Sequence, residues 1–130
     1  MLNARSAHRA VAHEEDGRIF VTGGEDEFGY DMYLVEYCTL PFGTSAETVE
    51  SNRFPIWHRA APMNQKRKYH SLCYTKGKIV AVGGFVNRLE LTRTVEVFSP
   101  PDRANPLGQW TFVRPLDVPY KYPFAVTVDD

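Results

Sequence analysis

The chain repeats itself. Asp16-Gly17-Arg18-Ile19-Phe20-Val21-Thr22-Gly23-Gly24 returns as Lys76-Gly77-Lys78-Ile79-Val80-Ala81-Val82-Gly83-Gly84, an offset of 60. Eleven residues after the second glycine stands Val35-Glu36 in the first copy and Val95-Glu96 in the second. Upstream, Met1, Arg5 and His8 are matched by Met63, Arg67 and His70, an offset of 62. Downstream, Trp57 and Pro62 are matched by Trp110 and Pro115, an offset of 53. The offsets differ because the first copy carries a longer loop between Glu36 and Trp57. A self-similar period of this length means stacked supersecondary units, each unable to bury its apolar face alone.

Each unit reads as β-structure. Ile19-Phe20-Val21 and Ile79-Val80-Ala81-Val82 are short, branched, apolar runs closed by glycine, the pattern of strands buried on both faces. His8–His13 and His70–Tyr74 open the units, Met32–Cys38 and Leu91–Phe98 follow the glycines, and the segments around Trp57 and Trp110 close them. Helix is disfavoured throughout by proline, glycine and β-branched residues, except for one turn over Glu47–Glu50. Four short strands per unit at repeat spacing predict all-β propeller blades. The expected division is 1–61 for a first four-stranded antiparallel blade with a long loop over 38–56, 62–114 for a second, and 115–130 for the first strand of a third.

Balanced charge bounds the partners. Fifteen basic and sixteen acidic residues give a net charge of -1, which offers no general pull on nucleic acid or anionic membrane. No apolar run is long enough to span a bilayer as a helix, and Met1–Val11 lacks the apolar core of a secretory signal. Two cysteines, Cys38 and Cys73, with no glycosylation sequon, suit a reducing, cytoplasmic setting, although two thiols leave a disulfide open.

Most marked residues read as scaffold. Gly23, Gly24, Gly83 and Gly84 fit turns with positive φ or close backbone approach, since no phosphate-loop pattern is present. Trp57 and Trp110, at repeat-fixed positions, are expected between blades. His8, His13, His58 and His70 lack metal-ligand spacing, and a catalytic residue would break the repeat instead of recurring in it, so no catalytic residue, metal or cofactor is expected. Glu25, Asp26, Glu27 and Asp31 form a solvated loop, with contact to a basic partner as the alternative. Lys66, Arg67 and Lys68 read as exposed.

Pro62-Met63, Arg67, strand-Gly-Gly, Val95-Glu96-Val97-Phe98-Ser99-Pro100 and Trp110, at these spacings, resemble the kelch repeat as it occurs in animal BTB-kelch proteins. The first copy departs from the pattern: Cys38 stands where an aromatic is usual, and its proline, Pro41, falls one place late. The third unit has Tyr120 and Pro123 in place of arginine and histidine. The resemblance implies a kelch β-propeller fragment of about two blades and a strand, either cut from a longer kelch protein or a truncated gene product, and forming part of a larger propeller or self-associating. It further implies a non-enzymatic scaffold that binds a protein or peptide, serving substrate recognition for a cullin-type ubiquitin ligase. An actin- or cytoskeleton-binding module is the alternative, and an oxidase or sugar epimerase on the same scaffold is a further one.

By that resemblance, the contacts belong to loops before the opening strand and after Gly-Gly: Arg5, Arg67, Asp26, Tyr30, Phe85, Asn87 and Arg88. Arg5 and Arg67 share a repeat position, and two guanidiniums at one end of a propeller would suit an acidic segment. The competing expectation is that each arginine satisfies carbonyls or a glutamate of its own blade.

Overall fold

The computed structural model describes residues 2, 4–15, 17–39, 56–87 and 90–118, and all regular structure among them is β. The Glu47–Glu50 turn, Arg88, and the third unit beyond residue 118 lie outside the described residues. The first sheet contains β1 (Arg9–His13), β2 (Arg18–Thr22), β3 (Val35–Thr39) and β4 (Trp57–Ala60), antiparallel and in sequence order. In the second sheet β5 (Ser71–Thr75) and β6 (Lys78–Val82) are followed by a short hairpin, β7 (Phe85–Asn87) with β8 (Glu90–Leu91). The sheet then continues with β9 (Val95–Ser99) and β10 (Gln109–Val113), again in sequence order.

The two sheets are copies in register as well as in sequence. Ile19 faces Cys38 and Val21 faces Glu36 in the first, while Ile79 faces Phe98 and Ala81 faces Glu96 in the second. The repeat of 60 therefore preserves cross-strand pairing, which is the unit of sheet stabilisation. The hairpin β7–β8 was not foreseen. In the first sheet the corresponding loop has only bridges from Glu25 to Ser6 and to Asp31.

The core lies between the sheets, where β1 packs against β5 and β6. Phe20, Val35, Ala60 and Met63 meet Ile79, Ala81, Phe98 and Trp110 there. Phe20 and Phe98 touch edge to face at 5.4 Å, a geometry worth about 0.5–1.5 kcal/mol beyond its buried area. Only alternate residues of β6 enter this core. Ile79 and Ala81 are buried, but Val80 and Val82 are half-buried because the pleat turns them to the far face, so β6 is not the strand buried on both faces that its apolar run suggested.

The tryptophans split. Trp110 stacks on Phe98 at 5.0 Å, and its Nε1–H donates to the Ala61 carbonyl at 2.8 Å, tying the outer strand of the second sheet to the chain leaving the first. Trp57, at the equivalent place on β4, is half-buried. Cys38 fills the aromatic position of the first sheet and is buried, and both thiols are free.

The glycine pairs have the conformation the sequence required. Gly23 and Gly24 have φ of +62° and +97°, and Gly83 and Gly84 have +60° and +88°. Close approach is the stronger reason for them. A Cβ on Gly84 would lie 2.6 Å from the Lys68 carbonyl oxygen and 2.8 Å from the His70 Cα, and one on Gly23 would overlap the Arg67 carbonyl.

Candidate functional site

Arg5 and Arg67 sit inside their blades. Each side chain is 0% exposed. The Arg67 guanidinium donates to the Gly83 and Thr94 carbonyls, both at 3.0 Å, to the Thr94 hydroxyl at 2.8 Å, and through Nε and Nη2 to Glu96 Oε2. Arg5 does the same one repeat earlier, to the Gly23 carbonyl at 3.1 Å, the Leu34 carbonyl at 3.0 Å and Glu36 Oε2 at 2.5 Å. The other oxygen of each carboxylate accepts a backbone N–H three residues before its arginine, from Leu2 and from Asn64, each at 2.6 Å. Burial lowers the pKa of both guanidiniums, and the facing glutamate opposes that shift. Arg5 and Arg67 are thus withdrawn from the expected binding face: a planar five-donor fork has been used to close the turn after Gly-Gly. With them goes the expectation of an acidic ligand held by two guanidiniums.

Lys68 is likewise not the exposed residue expected. It is 8% exposed, and its Nζ lies 3.0 Å from Glu25 and 3.1 Å from Asp31. Burial would lower its pKa, but hydrogen bonds to the two carboxylates and their charges together raise it.

His70 completes the seam. It is fully buried, and its Nε2 lies 2.7 Å from the Thr22 hydroxyl of the first sheet. Burial, then the nearby Arg67, pull its pKa down to about 3, so the ring is neutral. His13 is buried between the sheets, His8 is half-buried and His58 is exposed. Among the described residues no group of three or more His, Cys, Asp or Glu is placed to hold a metal ion.

These contacts fix one end of the molecule. The strap from Met63 to Tyr69 runs between the loop after β2 and the loop after β6. The Gly24 amide donates to the Arg67 carbonyl at 2.7 Å, and the Met63 amide donates to the Tyr33 carbonyl at 2.8 Å. On the other side Lys68 and Phe85 exchange backbone hydrogen bonds at 3.1 and 2.9 Å. Loops from both blades therefore share one rim.

The most prominent feature of that rim is a turn over Asp26–Tyr30. Asp26 Oδ1 accepts from the amides of Phe28 and Tyr30, each at 2.9 Å, while its own amide donates to the Tyr30 carbonyl at 2.9 Å. An Asp side chain closing on the backbone two residues ahead makes a tight turn, and Gly29 supplies the φ of +82° it needs. The turn holds Phe28 75% exposed and Tyr30 67% exposed. Tyr33 follows at 42%, with the Lys66 ammonium 5.8 Å from its ring centre.

Of the residues expected to bind, the structure brings Asp26 and Tyr30 onto this turn. It places Phe85 on the neighbouring loop, half-buried and edge to face with Tyr69 at 6.2 Å. Asn87 ends β7. Phe28, Tyr33 and Lys66 were missed as a group, although aromatics inside a charged, glycine-containing loop are a readable signal. Beside the loop after β6 lies an open concavity of about 560 Å³, lined by Gln65, Val86, Thr92 and Pro115 among others.

Comparison with known proteins agrees with this repeat geometry. Residues 66–116 match the kelch motif family model. Over 65 residues the chain is 31% identical to Kelch-like protein 36 of Bos taurus, covering 50% of this chain and 11% of that protein. A solved fungal alcohol oxidase in complex with copper superposes with a TM-score of 0.64 at 23% identity, covering 88% of this chain and 23% of the oxidase. That likeness is one of fold. The second sheet, with its buried Arg67–Glu96 pair and the Gly83–Gly84 turn they close, is a kelch repeat, and the chain carrying it resembles the animal kelch-like proteins.

Proposed function

We propose that this chain is a protein-interaction scaffold whose docking surface is the rim formed by the loops after β2 and β6 and the Met63–Tyr69 strap. The observation that carries the reading is the Asp26-pinned turn. Burying Phe28 and Tyr30 would be favourable by roughly 25 cal/mol per Å², yet the turn holds both rings out in water. Rigid, exposed aromatics with few torsions to lose are the residue type that anchors interfaces. The kelch repeat supports the same reading, and within it the finer role is recruitment of a substrate protein to a cullin-type ubiquitin ligase in the reducing cytoplasm.

Site-specific photo-cross-linking tests it. A cross-linker at position 28 should trap a protein partner in cell extract, whereas one at Phe112, exposed on the outer strand β10, should not. Equal trapping from both positions, or none from position 28, would reject this surface.

A further inference from the structure

We propose that the partner segment received by this rim is basic, with an arginine or lysine side chain seated on the exposed rings of Phe28 and Tyr30; this rests on the scaffold reading above and names its ligand. The rings alone would suit any apolar segment, but their surroundings select. Between residues 25 and 33 the loop carries Glu25, Asp26, Glu27 and Asp31 and no cation. Of the cations on the neighbouring strap, Lys68 is clamped between Glu25 and Asp31, and the exposed Lys66 lies over the Tyr33 ring. The guanidinium that would have attracted an acidic segment, Arg67, is fully buried against Glu96.

What the turn over Asp26–Tyr30 exposes is the two aromatic side chains and, next to Phe28 in sequence, the acidic Glu27. An aromatic face attracts a cation through its quadrupole, and a neighbouring carboxylate completes the recognition by charge-assisted hydrogen bonding. Lys66 over the Tyr33 ring at 5.8 Å is the same interaction made within the chain. Arginine fits such a place better than lysine, because its planar fork stacks on the ring while its edge meets the carboxylate. An acidic segment would meet like charge at the same point and be rejected.

Titration of the full chain, followed by amide NMR, with a short Arg/Ser peptide and its Lys/Ser and Glu/Ser counterparts tests the proposal. The Arg/Ser peptide should bind tightest and shift amides 26–33, the Lys/Ser peptide more weakly, and the Glu/Ser peptide not at all. Tyr30→Leu keeps apolar bulk but loses the ring, and should weaken Arg/Ser binding about five-fold. Glu27→Lys should abolish it, and neither variant should shift the melting temperature, since both side chains are exposed. Equal binding of the Glu/Ser peptide, shifts elsewhere on the chain, or Tyr30→Leu binding like the parent would overturn the inference. If position 28 still cross-links a protein while the Arg/Ser peptide fails to bind, the basic ligand is refuted and the scaffold reading stands; if both fail, both are refuted.

Discussion

Arg67→Lys keeps the charge and removes the fork. The parent guanidinium makes five hydrogen bonds, to Glu96 twice, to the Gly83 and Thr94 carbonyls, and to the Thr94 hydroxyl, all around a side chain with no solvent exposure. An ammonium has three donors on one atom and a shorter reach, so at least one buried carbonyl loses its partner. Each such orphan costs about 1–3 kcal/mol. The expected loss is therefore about 2 kcal/mol or more. Glu96→Gln attacks the pair from the other side: it preserves shape but leaves a buried guanidinium uncompensated, at about 3–5 kcal/mol. Arg67→Glu would set two carboxylates against each other in the same space and should not fold, since a domain of this size has only about 5–15 kcal/mol in total. Urea denaturation measures Arg67→Lys and Glu96→Gln against the parent, and Arg67→Glu should show no cooperative transition. Arg67→Lys within about 0.5 kcal/mol of the parent, the spread of ordinary surface changes, would refute the buried-clamp account.

Three further outcomes follow from the same geometry. His70 has a folded pKa near 3 against about 6.5 unfolded, so its contribution is complete above pH 6.5 and is lost at about 1.4 kcal/mol per unit as pH falls toward 3; denaturant midpoints from pH 7 to 4 should show that slope, and His70→Gln should flatten it. Gly29 and Gly84 have similar positive φ, but only at Gly84 would a Cβ strike backbone, so Gly29→Ala should cost about 1 kcal/mol and Gly84→Ala clearly more; equal melting temperatures would contradict this. Trp110→Phe removes the Nε1–H bond to Ala61 while keeping a ring against Phe98, and calorimetry should show a loss of about 1–2 kcal/mol.

What the sequence made legible was whatever the repeat enforces. Gly-Gly, Val-Glu, the arginine and the tryptophan recur because each copy must close the same turn, and their spacing alone placed the strands within a few residues. The role of Arg67 was not legible, because a charged residue flanked by Lys66 and Lys68 looks like a solvated run. Only the register, which sets Glu96 and the Gly83 carbonyl around it, shows that it is buried. Lys68 was misread for the same reason. Its partners Glu25 and Asp31 lie more than thirty-five positions away and meet it only when the strap crosses the first loop. The rim was half legible: the loop after Gly-Gly gave Asp26 and Tyr30, but that Phe28 and Tyr33 also stand exposed follows from the Asp26-pinned turn and the crossing strap, which no spacing in the sequence displays. The β7–β8 hairpin escaped because two short pairings leave no periodicity to read.

Buried arginines hold each blade, and the aromatic turn is the surface proposed for the partner. The exchange rate of the Arg67 Nε proton, followed by side-chain NMR near neutral pH, tests that division most directly. Bonded to Glu96 at 3.1 Å in a fully buried setting, this proton should exchange far more slowly than that of the exposed Arg103. Exchange of Arg67 as fast as that of Arg103 would return this guanidinium to the surface and contradict the account.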